Sequence, residues 1–149
     1  MSGPPAPAWQ RATRALAARA VDPAGRGGIV VRARAGPVRQ RFEQLIAMIP
    51  IAARRLHPEI SDTQLFGGAN IAATLAKGQL VRDAGLAATP ALLTLTMAER
   101  CPPGLAARLS QILDRKAGHA LVLLDEGAEP LEQSPATLHE RVAFFVDLN

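Results

Sequence analysis

Apolar positions along the chain switch between two spacings. Over residues 9–20, Trp9, Ala12, Leu16 and Ala20 share one helical face with Arg11, Arg14 and Arg19 largely off it, which predicts an amphipathic arm after a Pro/Ala-rich, disordered start at 1–8. Asp22, Pro23 and the glycines between 25 and 28 end that arm, and Ile29 to Val31 begins an apolar, β-branched strand. After a turn around Gly36 and Pro37, the residues Phe42, Leu45, Ile46 and Ile49 recur at helical spacing until Pro50. Further on, the pattern predicts a short strand over 54–60, a helix over 70–76 closed by Gly78, and a hairpin over 79–87 turning near Asp83 to Gly85. Residues 91–96 read as a buried strand. Pro102 and Pro103 open a helix with Leu105, Leu109, Ile112 and Leu113 inward, since proline is tolerated in a first turn. Residues 119–124 are another apolar strand, 135–139 a short helix and 143–146 a last strand. Strands alternating with helices imply an α/β fold with a mainly parallel sheet flanked by helices. The expected organisation is an arm at 1–25 and a core at 26–149, with no internal repeat.

Composition narrows this picture. A chain of 149 residues is long enough for one core, burying roughly 68–70% of its unfolded surface. Hydrophobic residues are 48%, but 29 are alanine and the aromatics are Trp9 and four Phe, so the core must be aliphatic. The single Cys101 excludes an internal disulfide and a thiolate zinc cluster, and suggests a reducing compartment. No apolar run approaches the ~18 residues of a membrane span, and the start does not read as a secretory signal, so a cytoplasmic location is expected.

Charge is unevenly placed. Residues 1–55 hold ten arginines against Asp22 and Glu43, a net of +8, whereas 56–149 carry a net of −4. A basic front raises nucleic acid, an acidic membrane surface or an acidic protein as partner. With no Tyr, however, stacking on nucleic-acid bases is poorly supplied.

A strand followed by a glycine turn and a helix is where a phosphate-binding loop lies, because helix N-terminal amides and the macrodipole favour anions. Set against G-x-x-x-x-G-K-[ST], residues 33–40 put Ala33 and Val38 at the glycines, Arg39 at the lysine and Gln40 at the hydroxyl that would bind magnesium. Only Gly36 remains of a glycine loop, and Pro37 removes an amide. Later, the apolar run 120–124 followed by Asp125 and Glu126 has the form of a strand carrying a magnesium-binding acid and a water-activating one. Another apolar strand, 91–96, already occupies the natural place for that role, and it ends in Thr96 and Met97, which can do neither job.

The run from Gly27 to Arg39 (GGIVVRARAGPVR), then Leu65 to Gly78 (LFGGANIAATLAKG), Gly85-Leu86, Met97 to Arg100 (MAER) and Asp125 to Gly127 resembles the N-terminal AAA+ module of magnesium chelatase D subunits. The resemblance extends over about residues 9–149. It implies an AAA+ (P-loop NTPase-like) core with a degenerate nucleotide site: Gly36, Arg39 and Gln40 in the phosphate loop, Thr96 and Met97 in place of the Walker B acids, and 121–124 as the sensor strand. On this register Asp125 and Glu126 fall just after the sensor strand, as a rim feature. Pro135 to Arg141 (PATLHER) is similar to the family's P-x-x-L-x-[DE]-R pattern, whose arginine reaches the nucleotide of a neighbouring subunit. Arg141 is therefore the candidate finger; as a plain surface cation it would pair with Glu140 or Asp147.

What the resemblance implies further is a regulatory and scaffolding subunit without ATPase activity of its own. Its partners would be the AAA+ ring of the chelatase I subunit and the porphyrin-binding H subunit, with ATP and Mg²⁺ used by the complex and no cofactor bound firmly by this chain. The expected helical lid, acidic linker and integrin-I-like domain are not in the sequence, which reads as a fragment. No metal site is expected, because His57, His119 and His139 are widely spaced without partners at ligand spacing. Cys101 and Met97 read as core residues, and Gly67, Gly68 and Gly85 as turn formers. Two rivals stand beside this reading, a basic nucleic-acid-binding domain and a surviving weak ATPase using Asp125 and Glu126.

Overall fold

The computed structural model describes residues 7–21, 27–127 and 133–149. In chain order, helix α1 (Ala8–Val21) precedes strand β1 (Gly28–Arg32), helix α2 (Pro37–Ala47) and strand β2 (Ala53–Leu56). Helix α3 (Asp62–Phe66), strand β3 (Gly67–Ala69), helix α4 (Ile71–Lys77) and strand β4 (Arg82–Ala84) form a compact excursion. Strand β5 (Leu92–Leu95), a 3₁₀ turn (Ala98–Arg100), helix α5 (Pro103–Asp114), strand β6 (Ala120–Asp125), helix α6 (Ala136–His139) and strand β7 (Phe144–Asp147) complete the fold.

Five strands pair in parallel in the order β2-β5-β6-β1-β7. Strands β5 and β6 are buried at every position, as near-continuous apolar runs in a covered parallel sheet should be. Alternation then sorts their side chains onto two faces. Val30, Leu93, Leu95, Leu121 and Leu123 meet Leu105, Leu109 and Ile112 of α5 on one side. Ile29, Val31, Val122 and Leu124 meet Leu16 of α1 with Phe42 and Ile46 of α2 on the other. The core is aliphatic, and Phe42 is its one fully buried aromatic among the described residues.

Several expectations are corrected, but the amphipathic arm at 9–20 is a packed helix, with Ala12, Ala15 and Leu16 buried in the second core layer. Its placements of Arg19 and Ala20, the disordered start and the boundary at 25/26 lie outside the described residues or side chains. The strand expected over 54–60 stops at Leu56: Pro58 has no amide for a ladder, and the Ile60 amide turns back onto the His57 carbonyl at 3.0 Å. The hairpin expected over 79–87 is instead a pairing of β4 with β3, antiparallel, with α4 looped out between them. Asn70 caps α4 by accepting from the Ala73 amide at 2.9 Å, and Gly78 closes it in the left-handed region. Gly67, at φ +85°, and Gly85 approach so closely that a Cβ on either would collide with the other's backbone. No residue of α4 is buried, and Ile71 and Leu75 are 72% and 79% exposed.

Because Leu123 is fully buried against α5, Leu123→Ala is expected to cost about 2–5 kcal/mol through lost transfer energy and the cavity left behind. Urea unfolding of both chains measures it; an unchanged midpoint would mean that β6 is not the central buried strand described here.

Candidate functional site

Because all five strands of the main sheet run one way, the segments following β1, β5 and β6 emerge together at its carboxyl edge. Gly36 caps α2 there in an extended conformation, Pro37 occupies the first helical position without an amide, and the Gln40 amide is spent on the Gly36 carbonyl at 3.0 Å. The first turn thus offers an anion the amides of Val38 and Arg39 alone. The Gln40 side chain is exposed.

Arg39, where the sequence places the loop's cation, is only 8% exposed and already ion-paired with Glu126, which follows β6. Its Nε also lies 4.0 Å from Glu43, one helical turn on, and Glu43 holds Arg55 at 3.2 Å. The Glu126 amide donates to the Glu99 carboxylate at 2.9 Å. A phosphate approaching Arg39 would meet Glu126 and Glu43, whose charge repels it and already satisfies the guanidinium. Thr96 spends its hydroxyl on the Leu56 carbonyl at 3.2 Å. Met97, expected in the core, is half-buried and holds a left-handed conformation (φ 48°) that launches the 3₁₀ turn. These residues do not fit a bound magnesium nucleotide.

Asp125 and Glu126 part company. Far from being a rim feature, Asp125 is 2% exposed and accepts from the Gly127 amide at 2.8 Å and the Ser134 amide at 3.3 Å. Its oxygens satisfy buried backbone donors, which is why it turns inward. Glu126 is the residue that reaches the loop.

Arg141 lies at the opposite, amino edge, between α6 and β7. Its backbone rests on Gly27, whose φ is +65° and whose hypothetical Cβ would strike the Arg141 carbonyl. The Ala143 amide then bonds the Gly28 carbonyl at 3.0 Å, docking this turn on the start of β1. With a rise of ~3.3 Å per residue, the length of β1 separates the two edges by roughly 16 Å. The structure therefore sets Gly36, Arg39 and Gln40 on the same edge of the sheet as Thr96 and Met97, and leaves Arg141 on the other.

The guanidinium of Arg141 pairs with neither Glu140 nor Asp147. Its Nε and Nη2 donate to the two carboxylate oxygens of Asp114 at 2.9 and 3.1 Å, and Nη1 donates to the Thr137 carbonyl at 2.9 Å. Asp114 ends α5, which returns to the same edge before β6 begins, whereas Asp147 ends β7 at the far edge and accepts from the Asn149 amide at 3.0 Å. The hydrogen bond from Arg141 holds the Asp114 carboxyl below its ordinary range, and the same bond raises Arg141.

Cys101 is buried against the core, which pushes its thiol up to about 11. It is no nucleophile at neutral pH. The neutral thiol favours the folded state fully below the ordinary thiol value of 9.0, and that contribution is lost as pH rises towards about 11. Alkylation by iodoacetamide at pH 8 is expected to be slow in the folded chain and fast in urea; equal rates would place Cys101 at the surface. For the loop, calorimetry with Mg-ATP is expected to give no heat that Arg39→Ala abolishes; micromolar binding lost in that variant would show that nucleotide displaces Glu126.

No family model matches the chain. It is 48% identical over 141 residues to the magnesium-chelatase 60 kDa subunit of Cereibacter sphaeroides, covering 95% of this chain and 25% of that protein. Against the protein of the same name from Rhodobacter capsulatus it is 46% identical over 142 residues, covering 94% of this chain and 25% of the other. The chain thus spans about a quarter of the length of these curated relatives. Among solved structures, a Cytophaga hutchinsonii protein provisionally named an ATPase matches with a TM-score of 0.60 at 12% identity, over 95% of this chain and 54% of its own. A model of the complex between subunits BchI and BchD of magnesium chelatase, based on a cryo-electron-microscopy reconstruction, matches with a TM-score of 0.64 at 17% identity, over 92% and 58%. At such identities these likenesses show the fold, a parallel-sheet α/β core of the AAA+ type.

Proposed function

We propose that this chain is the AAA+ front module of a magnesium-chelatase D-type subunit, which docks on the I subunit's ATPase ring and scaffolds ATP-dependent insertion of Mg²⁺ into protoporphyrin IX for bacteriochlorophyll synthesis. Similarity at 48% identity across nearly the whole chain supports the family, and the complex of BchI with BchD, as a fold neighbour, supports the I subunit as partner. The porphyrin-binding H subunit is the further partner in this reading, and the compartment is the cytoplasm. Among the described residues, no helix is long and apolar enough to cross a membrane.

The observation that carries the division of labour is the separation of the two edges. The carboxyl edge is filled by the Arg39–Glu126 pair, which supports a module that holds no nucleotide firmly itself. At the amino edge, the distance of Arg141 from its own chain's loop supports a role towards a neighbour's. A guanidinium supplied across an interface offsets charge developing on the transferring phosphoryl group, as fingers of this kind do. The rival nucleic-acid reading loses ground on the same geometry, because Arg39 and Arg55 of the basic front are engaged with Glu126 and Glu43.

Arg141→Ala in the reconstituted I–D complex, with the complete D subunit, tests this. ATP turnover at the sites served by this arginine is expected to fall by about 10³-fold, with assembly retained. Unchanged turnover and assembly would remove the finger.

A further inference from the structure

We propose that Asp114 is a positioning residue for Arg141, holding the guanidinium ready-oriented for a phosphate of the neighbouring subunit. This rests on the finger reading above and goes beyond it by giving the arginine a partner on its own chain.

A guanidinium is a planar fork of five N–H donors. Three are committed: those to the two Asp114 oxygens fix the plane of the fork, and the one to Thr137 fixes its tilt from the other side. Two N–H groups, one on each terminal nitrogen, carry no bond among the described residues. A group held at three points with two donors left over is organised to receive a second anion without a fresh loss of rotamer freedom on docking.

The placement of Asp114 argues in the same direction. It is the last residue of α5, where the helix dipole disfavours a carboxylate, so helix stability does not explain an acid there. Its side chain is 59% exposed, so burial does not require it to be paired either. What the carboxylate does is orient Arg141. Nor is it a lock: an exposed carboxylate on one side of the fork leaves the unbonded N–H groups uncovered. The hydrogen bond from Arg141 holds the Asp114 carboxyl below its ordinary range, in the direction that favours the ionised, bidentate acceptor. A groove of about 470 Å³ between α5 and α6, lined by Ala106, Ser110, Asp114, Pro135 and Arg141, gives a neighbouring chain access to this pair.

The test is Asp114→Asn, Asp114→Glu, Arg141→Ala and the double variant Asp114→Asn with Arg141→Ala, each in the complete D subunit reconstituted with I and assayed for ATP turnover. Asparagine keeps the shape but turns an NH₂ towards the guanidinium, so it destroys the bidentate fit. The expected result for Asp114→Asn is a fall in kcat of about ten- to a hundredfold, the scale of a small misplacement, with KM for ATP unchanged. Asp114→Glu is expected to recover part of it. The double variant is expected to be no worse than Arg141→Ala alone, because the two residues act as one unit. Turnover of Asp114→Asn at or above the unaltered level, while Arg141→Ala falls, would overturn the positioning role and leave the finger standing. Losses that add in the double variant would do the same. An Arg141→Ala subunit with full turnover would overturn both.

Discussion

The constraint on which the rest depends is the parallel register of β1 between β6 and β7. Gly28 to Arg32 pairs with Leu121 to Asp125 on one side, and Ile29 to Arg32 with Phe144 to Asp147 on the other. Every residue from Ile29 to Val31 is fully buried, so a slip of one position would exchange the two core layers and is strongly excluded. Through its start, β1 fixes the turn that carries Arg141; through its end, it delivers the chain to α2 and Arg39. One strand thus sets both edges and the distance between them.

At the carboxyl edge, the turn that leads from β1 into α2 is filled by side chains. Arg39 puts a large cation into a largely buried place, and such a charge is tolerated only when it is paired. Glu126 and Glu43 supply the pairing, and with it the site's charge is balanced internally. The acid that in isolation looked fit for magnesium, Asp125, is instead tied to two backbone amides behind the sheet's rim. The same two residue types that would make a catalytic pair here do structural work because of which way each side chain turns.

How much of this was legible in the sequence follows from the range of each signal. The buried strands at 29–31, 91–96 and 119–124 were readable because apolar runs between turn residues depend on nothing distant, and their ends shifted by only a residue or so. The helix at 70–76 was readable from Asn70 and Gly78. The pairing of β3 with β4 was not, since both are three residues long and one contains two glycines, leaving no alternation to read. Helix α3 was missed although its signal was present: Ser61 and Gln64 form a capping box at the required spacing. Partner choice among charges was the least legible part. Glu140 and Asp147 are near Arg141 in sequence, yet the guanidinium selects Asp114, 27 residues away, because the end of α5 and the start of β7 meet on one edge. The roles assigned to Arg39, Thr96 and Met97 came from resemblance, and only side-chain geometry shows that Arg39 is engaged by Glu126.

Unlike edges give the module a direction. In a closed ring built head to tail, each subunit ordinarily receives a residue from one neighbour and gives one to the other, so all interfaces are equivalent. On the proposed function, a chain whose carboxyl edge is filled and whose amino edge presents Arg141 would give without receiving. A copy set among subunits that both give and receive would then make one interface unlike the next, which would break the rotational symmetry and give the ring a distinguishable starting point.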